Sequence, residues 1–388
     1  MANTDYHNFG TLTGAQLQAW SRDFWKVARN QSFINQFAGT GSNAMVQRVT
    51  ELTKSQKGTK ANITLLADMT GDGITGDNTL EGNEEALRAY DISIELDQLR
   101  FANRIAGRMA DQKTVVNFRE QSRDALAYAM ADRIDQLAFL TLSGVTFDKK
   151  NNGGTRATSA NAGHELLDLE FAGDVSGPSD NRLVRIDNTV TSNVITSTDL
   201  VVKADDAAGV AQSNMVATDT LTYAAIVKLK AYAKDQYIRG IRGTGNQEVF
   251  HMFVTPQMMA SLKLDPDFIA NVRNAGVRGA SNQLFAGSSS LMVDGVMIHE
   301  FRHVYNNAGG TKWGSGADVS GGRALFCGAQ ALAMADIGLP EMTEDTFDYG
   351  NQSGISVGKI FGLRKPKYNT DISGTTEDFG VIAVDCAM

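Results

Sequence analysis

The sequence predicts an α+β fold, with helices and strands that do not alternate regularly. Three observations point there. Ile63 and Leu65, and later Tyr90, Ile92, Ile94 and Leu96, alternate with polar neighbours, the period of a half-buried strand. Between these strand signals lie Gly71, Gly73, Gly76 and Gly82 with Asp68, Asp72, Asp77, Glu81, Glu84 and Glu85, and no Lys or Arg from Leu66 to Leu87. After them Leu126, Met130, Ile134, Leu137 and Thr141 recur at intervals of three and four, which is a long amphipathic helix. A polar loop of that length inside a compact domain is normally functional or disordered. Bracketed by strands, it reads as an arm that carries a surface for a neighbouring subunit, not as the wall of a pocket.

Residues 1–60 read as an N-terminal arm with one helix. Thr13 and Gln16 have capping-box spacing, Leu12 and Leu17 are placed as a hydrophobic staple, and Leu17, Trp20, Phe24 and Val27 share a helical face. The rest, through Gly39-Thr40-Gly41-Ser42 and Lys54, Lys57 and Lys60, reads as extended. The strands near 61–66 and 89–96 make a two-stranded ribbon with an acidic tip. Such a ribbon is marginal in water and needs something to lie on. Asn117 and Glu120 can cap the next helix and Ser143-Gly144 can end it. Its residues, about 117–142, span on the order of 39 Å at 1.5 Å each.

Residues 145–218 read as a loop-rich insertion with β-favouring patches at 183–186, 194–195 and 200–202. A helix follows at about 219–237. Thr255-Pro256 and Asp265-Pro266 each set a capping residue before Pro at the first helical position. Residues 292–305 predict two strands around Asp294-Gly295, residues 326–336 one short apolar helix or strand, and residues 355–363 and 379–386 two further strands.

Composition narrows the function. The chain has 388 residues, 42% hydrophobic and 21% charged, which are ordinary globular proportions with core enough for two or three domains. No apolar run reaches the roughly 20 residues that cross a bilayer, and residues 1–14 lack a signal-peptide core, so a soluble chain is expected, with no membrane partner. Cys327 and Cys386 are the only cysteines, which fits a reducing compartment. A net charge of -8 argues against a broad basic face for nucleic acid.

The motifs that carry chemistry fail on context. His299-Glu300-Phe301-Arg302-His303 matches the zinc-protease pattern, which needs a helix so that both histidines meet one metal. The surrounding run predicts a strand, where they would stand roughly 13 Å apart. The alternative of a zinc-dependent hydrolase on His299, Glu300 and His303 therefore lacks its own structural condition. Asp68 to Gly73 resembles the opening of a calcium loop, but Thr79 stands where the bidentate Glu belongs. Phosphate loops, dinucleotide fingerprints and nucleophile elbows are absent, and the five histidines define no triad. No cofactor is expected. Arg364-Lys365-Pro366-Lys367 reads as a solvated surface turn.

The assembled residues resemble a family. The run Gly71-Asp72-Gly73-Ile74-Thr75-Gly76-Asp77-Asn78-Thr79-Leu80-Glu81-Gly82-Asn83-Glu84-Glu85-Ala86-Leu87 is similar to the extended-loop segment of major capsid proteins of tailed bacteriophages, nearest to the coat proteins of N4-like podoviruses. Asn117-Phe118-Arg119-Glu120, the stretch from Asp132 to Leu140, Val254-Thr255-Pro256-Gln257, the stretch from Asn271 to Gly279, Val293-Asp294-Gly295 and Asp378-Phe379-Gly380-Val381-Ile382 also match, so the resemblance runs through most of the chain.

The resemblance implies the tailed-phage capsid fold, also called Johnson or Hong-Kong-97-like. The expected divisions are an arm at 1–60, an extended loop at 61–116, and a spine helix with peripheral domain and insertion at 117–199. An axial domain at 200–320 and a return to the peripheral domain at 321–388 complete them. It implies a structural protein, not an enzyme, that self-assembles as hexamers and pentamers into the icosahedral virion capsid. Assembly in the host bacterial cytoplasm, double-stranded DNA packed non-specifically inside, a portal and room for a decoration protein belong to the same expectation. The arm and loop occupy the residues before the long helix, so a separate scaffolding protein is expected. The tip residues Asp72, Asp77, Glu81, Glu84 and Glu85 are expected to contact a neighbouring subunit, with Lys54, Lys57 and Lys60 as candidate partners. An encapsulin-like cargo shell is the alternative within the same fold.

Overall fold

A computed structural model describes residues 32–50, 58–66, 72–85, 89–113, 118–159, 163–192, 194–205, 211–243, 247–275, 290–338, 340–369 and 375–388. The helix expected near Thr13, the lysines Lys54 and Lys57, the stretch from Asp68 to Gly71 and the cap at Asn117 lie outside these residues.

The long helix is Phe118–Ser143, within a residue of the sequence expectation. Leu126, Met130, Ile134 and Leu137 bury one face, and from Leu137 to Ser143 every side chain is buried. Gly144 ends it at φ 67°, with its N–H bonded to Thr141 O at 3.2 Å and that of Val145 to Leu140 O at 3.0 Å. Only a residue without Cβ fits there, because a Cβ would stand 2.6 Å from Ser176 O.

This helix packs against a six-stranded sheet. The sheet runs Ala38–Gly39, Val46–Val49, Leu332–Asp336, Gln352–Arg364, Glu341–Phe347, and Asp97–Arg104 also pairs with Gln352–Arg364. A second, eight-stranded sheet runs Ser290–Val293, Val296–Glu300, Glu248–Val254, Gly321–Cys327, Val381–Ala387, Leu183–Thr191, Val194–Val202, and Ile241–Arg242 adds to Glu248–Val254. Its central strands are buried on both faces, which is why they read as unbroken apolar runs. Leu325, Cys327, Val381 and Phe253 face the first core with the long helix. Ala324, Phe326, Ile382, Val384 and Met252 face a second core with the helices Tyr223–Asp235 and Pro256–Leu264. The second core thus draws on residues either side of 200–320.

Several local expectations meet their physical causes here. Thr255 Oγ1 accepts the N–H of Met258 at 3.3 Å, and Pro256 takes the first helical position, as its sequence requires. The preceding helix starts at Tyr223 and not at Asp219, because Asp219 is buried below it, holding the N–H groups of Asn188 and Val216 and the Arg185 guanidinium at 3.0 Å. Residues 326–336 are not one element. Gly321–Cys327 and Leu332–Asp336 belong to different sheets, joined through a turn with Gln330 at φ 53°. The insertion is loop-rich on both sides of a regular part, from 145 to 182 and again in the described residues 203–205 and 211–218. Its β-favouring patches form the hairpin Leu183–Thr191 with Val194–Val202. The basic turn at 364–367 is not solvated throughout. Lys365 is buried against Asp378 at 2.9 Å, and burial pushes its ammonium below the usual range. Both cysteines are buried and free, and burial pushes both thiols up.

Candidate functional site

The strands Lys60–Leu66 and Ala89–Glu95 pair antiparallel over seven residues, from Lys60 opposite Glu95 to Leu66 opposite Ala89. The base of this arm has its seat. Ala61, Ile63 and Ile94 bury against Val49, Ala333 and Ala335 of the six-stranded sheet. Gly362 lets the two backbones meet, since a Cβ there would stand 2.1 Å from Glu95 O. Arg364 donates to Ser93 O and pairs with Asp174 at 3.2 Å. The ribbon, marginal alone, is thus pinned at one end.

The other end carries Asp72, Asp77, Glu81, Glu84 and Glu85. The first four are exposed and Glu85 is half-buried. The tip is shaped by its own groups. Gly73, Gly76 and Gly82 have φ of 75°, 67° and 88°, Gly82 N–H donates to Glu84 at 2.8 Å, and Asn78 donates to Thr75 O at 2.8 Å. A Cβ added at any of these glycines would meet nothing within 4 Å. Among the described residues, no ion pair joins Asp72, Asp77, Glu81 or Glu84 to the body of the chain. Leu80 is exposed among them. Five carboxylates lie in this tip segment with no basic residue between them.

Lys60, expected as a partner of this tip, already pairs with Glu95 at 2.6 Å, and that hydrogen bond raises its ammonium above the usual range. It belongs to the base of its own arm.

The root of the N-terminal segment is fixed separately. Asp135, buried on the long helix, accepts Ser32 Oγ at 2.7 Å and the N–H groups of Phe33 at 2.8 Å and Ile34 at 3.1 Å. Burial pushes its carboxyl up to about 6, against those hydrogen bonds. Phe33 stacks on Phe301 at 4.2 Å and meets Phe37, Phe139 and Phe253. The sequence had no signal for this clasp, because its two halves are about a hundred residues apart.

The histidines go to different partners. The strand carrying His299 ends at Glu300, not at 305, because Phe301 turns into the aromatic cluster after its N–H bonds Val254 O at 3.0 Å. His299 Nε2 lies 3.0 Å from His251 Nδ1, while His303 Nε2 lies 2.6 Å from Asp132, which also takes Arg302 at 3.0 Å. Burial, with His251 beside it, pushes His299 down to about 4, and burial also lowers His251 and His303. Burial would raise Asp132, but His303 and Arg302 hold it below the usual range. Among the described residues, no three His, Cys, Asp or Glu side chains converge as metal ligands. His299 and His303 are packing and hydrogen-bonding residues, and Glu300 ends its strand half-buried.

Comparison with known proteins agrees with this geometry. A family model for phage capsid proteins matches residues 8–388. The major capsid protein of Pseudomonas phage KPP25 is 53% identical over 384 residues, covering 98% of this chain and 97% of that one. Among solved structures, the capsid of Ralstonia phage GP4 matches with a TM-score of 0.69 at 25% identity, over 92% of this chain and 91% of that chain. The Cyanophage Pam1 capsid matches in fold with the same TM-score of 0.69 at 19% identity, over 92% of each.

Proposed function

Because the chain belongs to the phage capsid protein family, we propose that its acidic arm tip is an assembly contact, laid across a neighbouring copy as the shell forms. The protein is a structural component of the virion, not an enzyme: a major capsid protein of the tailed-phage fold that forms the phage head shell as a homo-oligomer. The zinc-hydrolase and encapsulin-like readings give way to that family.

One observation carries the tip mechanism. Four exposed carboxylates stand at the tip of a ribbon seated at its base, and among the described residues none of them forms an ion pair with its own chain. Each exposed ion pair contributes little, about 0–1 kcal/mol. Repeated at every subunit contact, such weak pairs close a shell while leaving misplaced subunits free to leave. A head-to-tail contact of this kind closes only where the rotation between copies permits. Lys54 and Lys57 are kept as candidate partners; Lys60 is occupied by Glu95.

Within the same proposal, the body on the eight-stranded sheet is the axial domain, extended beyond 200–320 by residues 183–199, 321–327 and 381–387. The long helix and six-stranded sheet form the peripheral domain. Hexamers and pentamers, a separate scaffolding protein, a portal, a decoration protein and non-specifically held DNA belong to this reading, as does an N4-like grouping, which rests on the run from Gly71 to Leu87. The acidic net charge of -8 suits a container that must not grip its DNA, since non-specific affinity comes from phosphate neutralisation.

The test is charge reversal at the tip, Asp72→Lys with Asp77→Lys and Glu81→Lys. Electron microscopy of the purified chain is expected to show fewer closed shells and shells that come apart at a different salt concentration. Shells of unchanged yield and salt stability would sink the mechanism.

A further inference from the structure

We infer that the surface receiving the acidic tip is the basic row Arg100, Arg104, Arg108 and Lys113 of a second copy, a deepening that rests on the tip being an assembly contact. The strand Asp97–Arg104 alternates cleanly: Leu99 and Phe101 pack toward the first core, while Gln98, Arg100, Ala102 and Arg104 are exposed. The period of two places Arg100 and Arg104 on one face, about 13 Å apart. Arg108 and Lys113 follow on the short helix Arg108–Lys113, both exposed. The chain thus presents four cations and one carboxylate, Asp111, in fourteen positions, against five carboxylates between Asp72 and Glu85.

The row is braced by groups that leave its charge unspent. Arg100 lies opposite Gly358 and Arg104 opposite Gly354 on the neighbouring strand. A Cβ at Gly358 would stand 3.0 Å from Arg100 Cγ, so the glycine gives the arginine stem room to lie flat. The Arg104 guanidinium sits 4.3 Å above the Phe347 ring and donates to the Gln352 side chain. Arg108 Nε donates to Gly350 O at 3.2 Å. Every one of these partners is uncharged. Among the described residues, no carboxylate pairs with any of the four.

Several other cations are already paired, although exposed Lys150, Arg239, Arg242 and Lys312 also lack a carboxylate among the described residues. Lys203 has Asp180 at 2.7 Å, Lys228 has Asp199 at 2.8 Å, Lys230 has Asp294 at 2.9 Å and Lys234 has Glu248 at 3.2 Å. Guanidinium groups held in place with free donors suit carboxylates that arrive from outside.

The pairing is inferred to be intermolecular. The paired strands separate the tip from the arm's base by seven residues, roughly 23 Å at 3.3 Å per residue. The chain reaches the row only after passing that pinned base, since Glu95 ends the arm and Asp97 begins the row's strand. The tip of one copy is thus set against the row of the next. Tip and row on one chain are therefore the two halves of a head-to-tail contact.

The experiment is a charge swap in the full-length chain, read by sedimentation and electron microscopy of shells. Arg100→Glu with Arg104→Glu is expected to raise the concentration needed for assembly about tenfold. Adding the reversed tip, Asp72→Lys, Asp77→Lys and Glu81→Lys, is expected to restore it to within a few-fold. Arg100→Lys with Arg104→Lys keeps the charge and should assemble near the parent level. Melting of the unassembled chains separates an assembly defect from misfolding. If the glutamate pair misfolds, Arg100→Gln with Arg104→Gln is read in its place, and a salt dependence of assembly equal to the parent's overturns the inference. If the reversed tip blocks assembly but the reversed row does not, the tip is a contact and this row is not its receiver. If the reversed row blocks assembly and the swap fails to rescue it, the row serves another partner, such as DNA, and the pairing is overturned. If the reversed tip alone has no effect, the assembly reading fails and the inference with it.

Discussion

Asp135 is the residue on which the N-terminal segment turns. Its carboxylate takes one hydroxyl and two backbone N–H groups from Ser32, Phe33 and Ile34, yet burial pushes it up to about 6. A carboxyl whose folded value exceeds its unfolded value of about 4 holds its proton more tightly when folded. The stability it contributes is full below about pH 4 and is lost as pH rises through about 6. The size is on the order of 1–3 kcal/mol, from about 1.4 kcal/mol per unit. His299, pushed down to about 4, acts oppositely: its contribution is present above about 6.5 and lost as pH falls toward 4. In the parent chain the two partly cancel. Asp135→Asn removes one side, so its melting temperature is expected to fall more steeply than the parent's between pH 7.5 and pH 5. Curves that stay parallel across that range would show that Asp135 titrates near the ordinary carboxylate value.

The arm is the element that the rest of the chain is arranged to hold. Gly362 is its closest approach to the sheet, and Gly362→Ala would drive a methyl to 2.1 Å from Glu95 O and 2.9 Å from Ile94 Cγ2. The backbone must then shift, at about 1–3 kcal/mol, and the cost falls on the arm's seat. Faster proteolysis within residues 60–95 is expected, with circular dichroism of the body retained and shells lost; unchanged cleavage and assembly would show that the seat tolerates the displacement. The arm was legible in the sequence because both of its signals are local: period-two alternation at Ile63 and Ile92, and a glycine- and acid-rich run between. The long helix was legible for the same reason, since apolar spacings of three and four from Leu126 to Thr141 run for about four turns. The strands at 321–336 were not, because burial on both faces erases periodicity and leaves only an apolar run. The receiving row was missed because Arg100 and Arg104 gain meaning only from Gly354, Gly358 and Phe347, which the strand Gln352–Arg364 and its hairpin partner bring alongside from some 250 positions away. Lys60 was legible as a cation, but its partner Glu95 became its neighbour only through strand register.

At the scale of the whole molecule, two cores share one wall. The strands Gly321–Cys327 and Val381–Ala387 send alternate side chains to opposite sides: Leu325 and Val381 to the core of the long helix, Phe326 and Ile382 to the core of the helix Tyr223–Asp235. Neither core can open without exposing the same two strands. Buried charges tighten the joint. Arg323 holds Asp385 through two hydrogen bonds of 2.7 and 2.9 Å and also donates to Ser143 O at the end of the long helix at 2.9 Å. Breaking such a pair from one side leaves a buried charge, at about 3–5 kcal/mol. Chains of this length often melt in stages, one domain at a time. Here the shared wall predicts a single calorimetric transition for the unassembled chain. Leu137→Ala in the first core and Ile226→Ala in the second should each cost about 2–5 kcal/mol and lower that one transition together, leaving its shape intact. If each substitution instead split off its own transition while the other stayed in place, the cores would be independent and the wall merely adjacent to both. Such coupling would suit a shell subunit: strain applied at the arm on one side would be felt by the body on the other, so that the head would yield as a whole and not domain by domain.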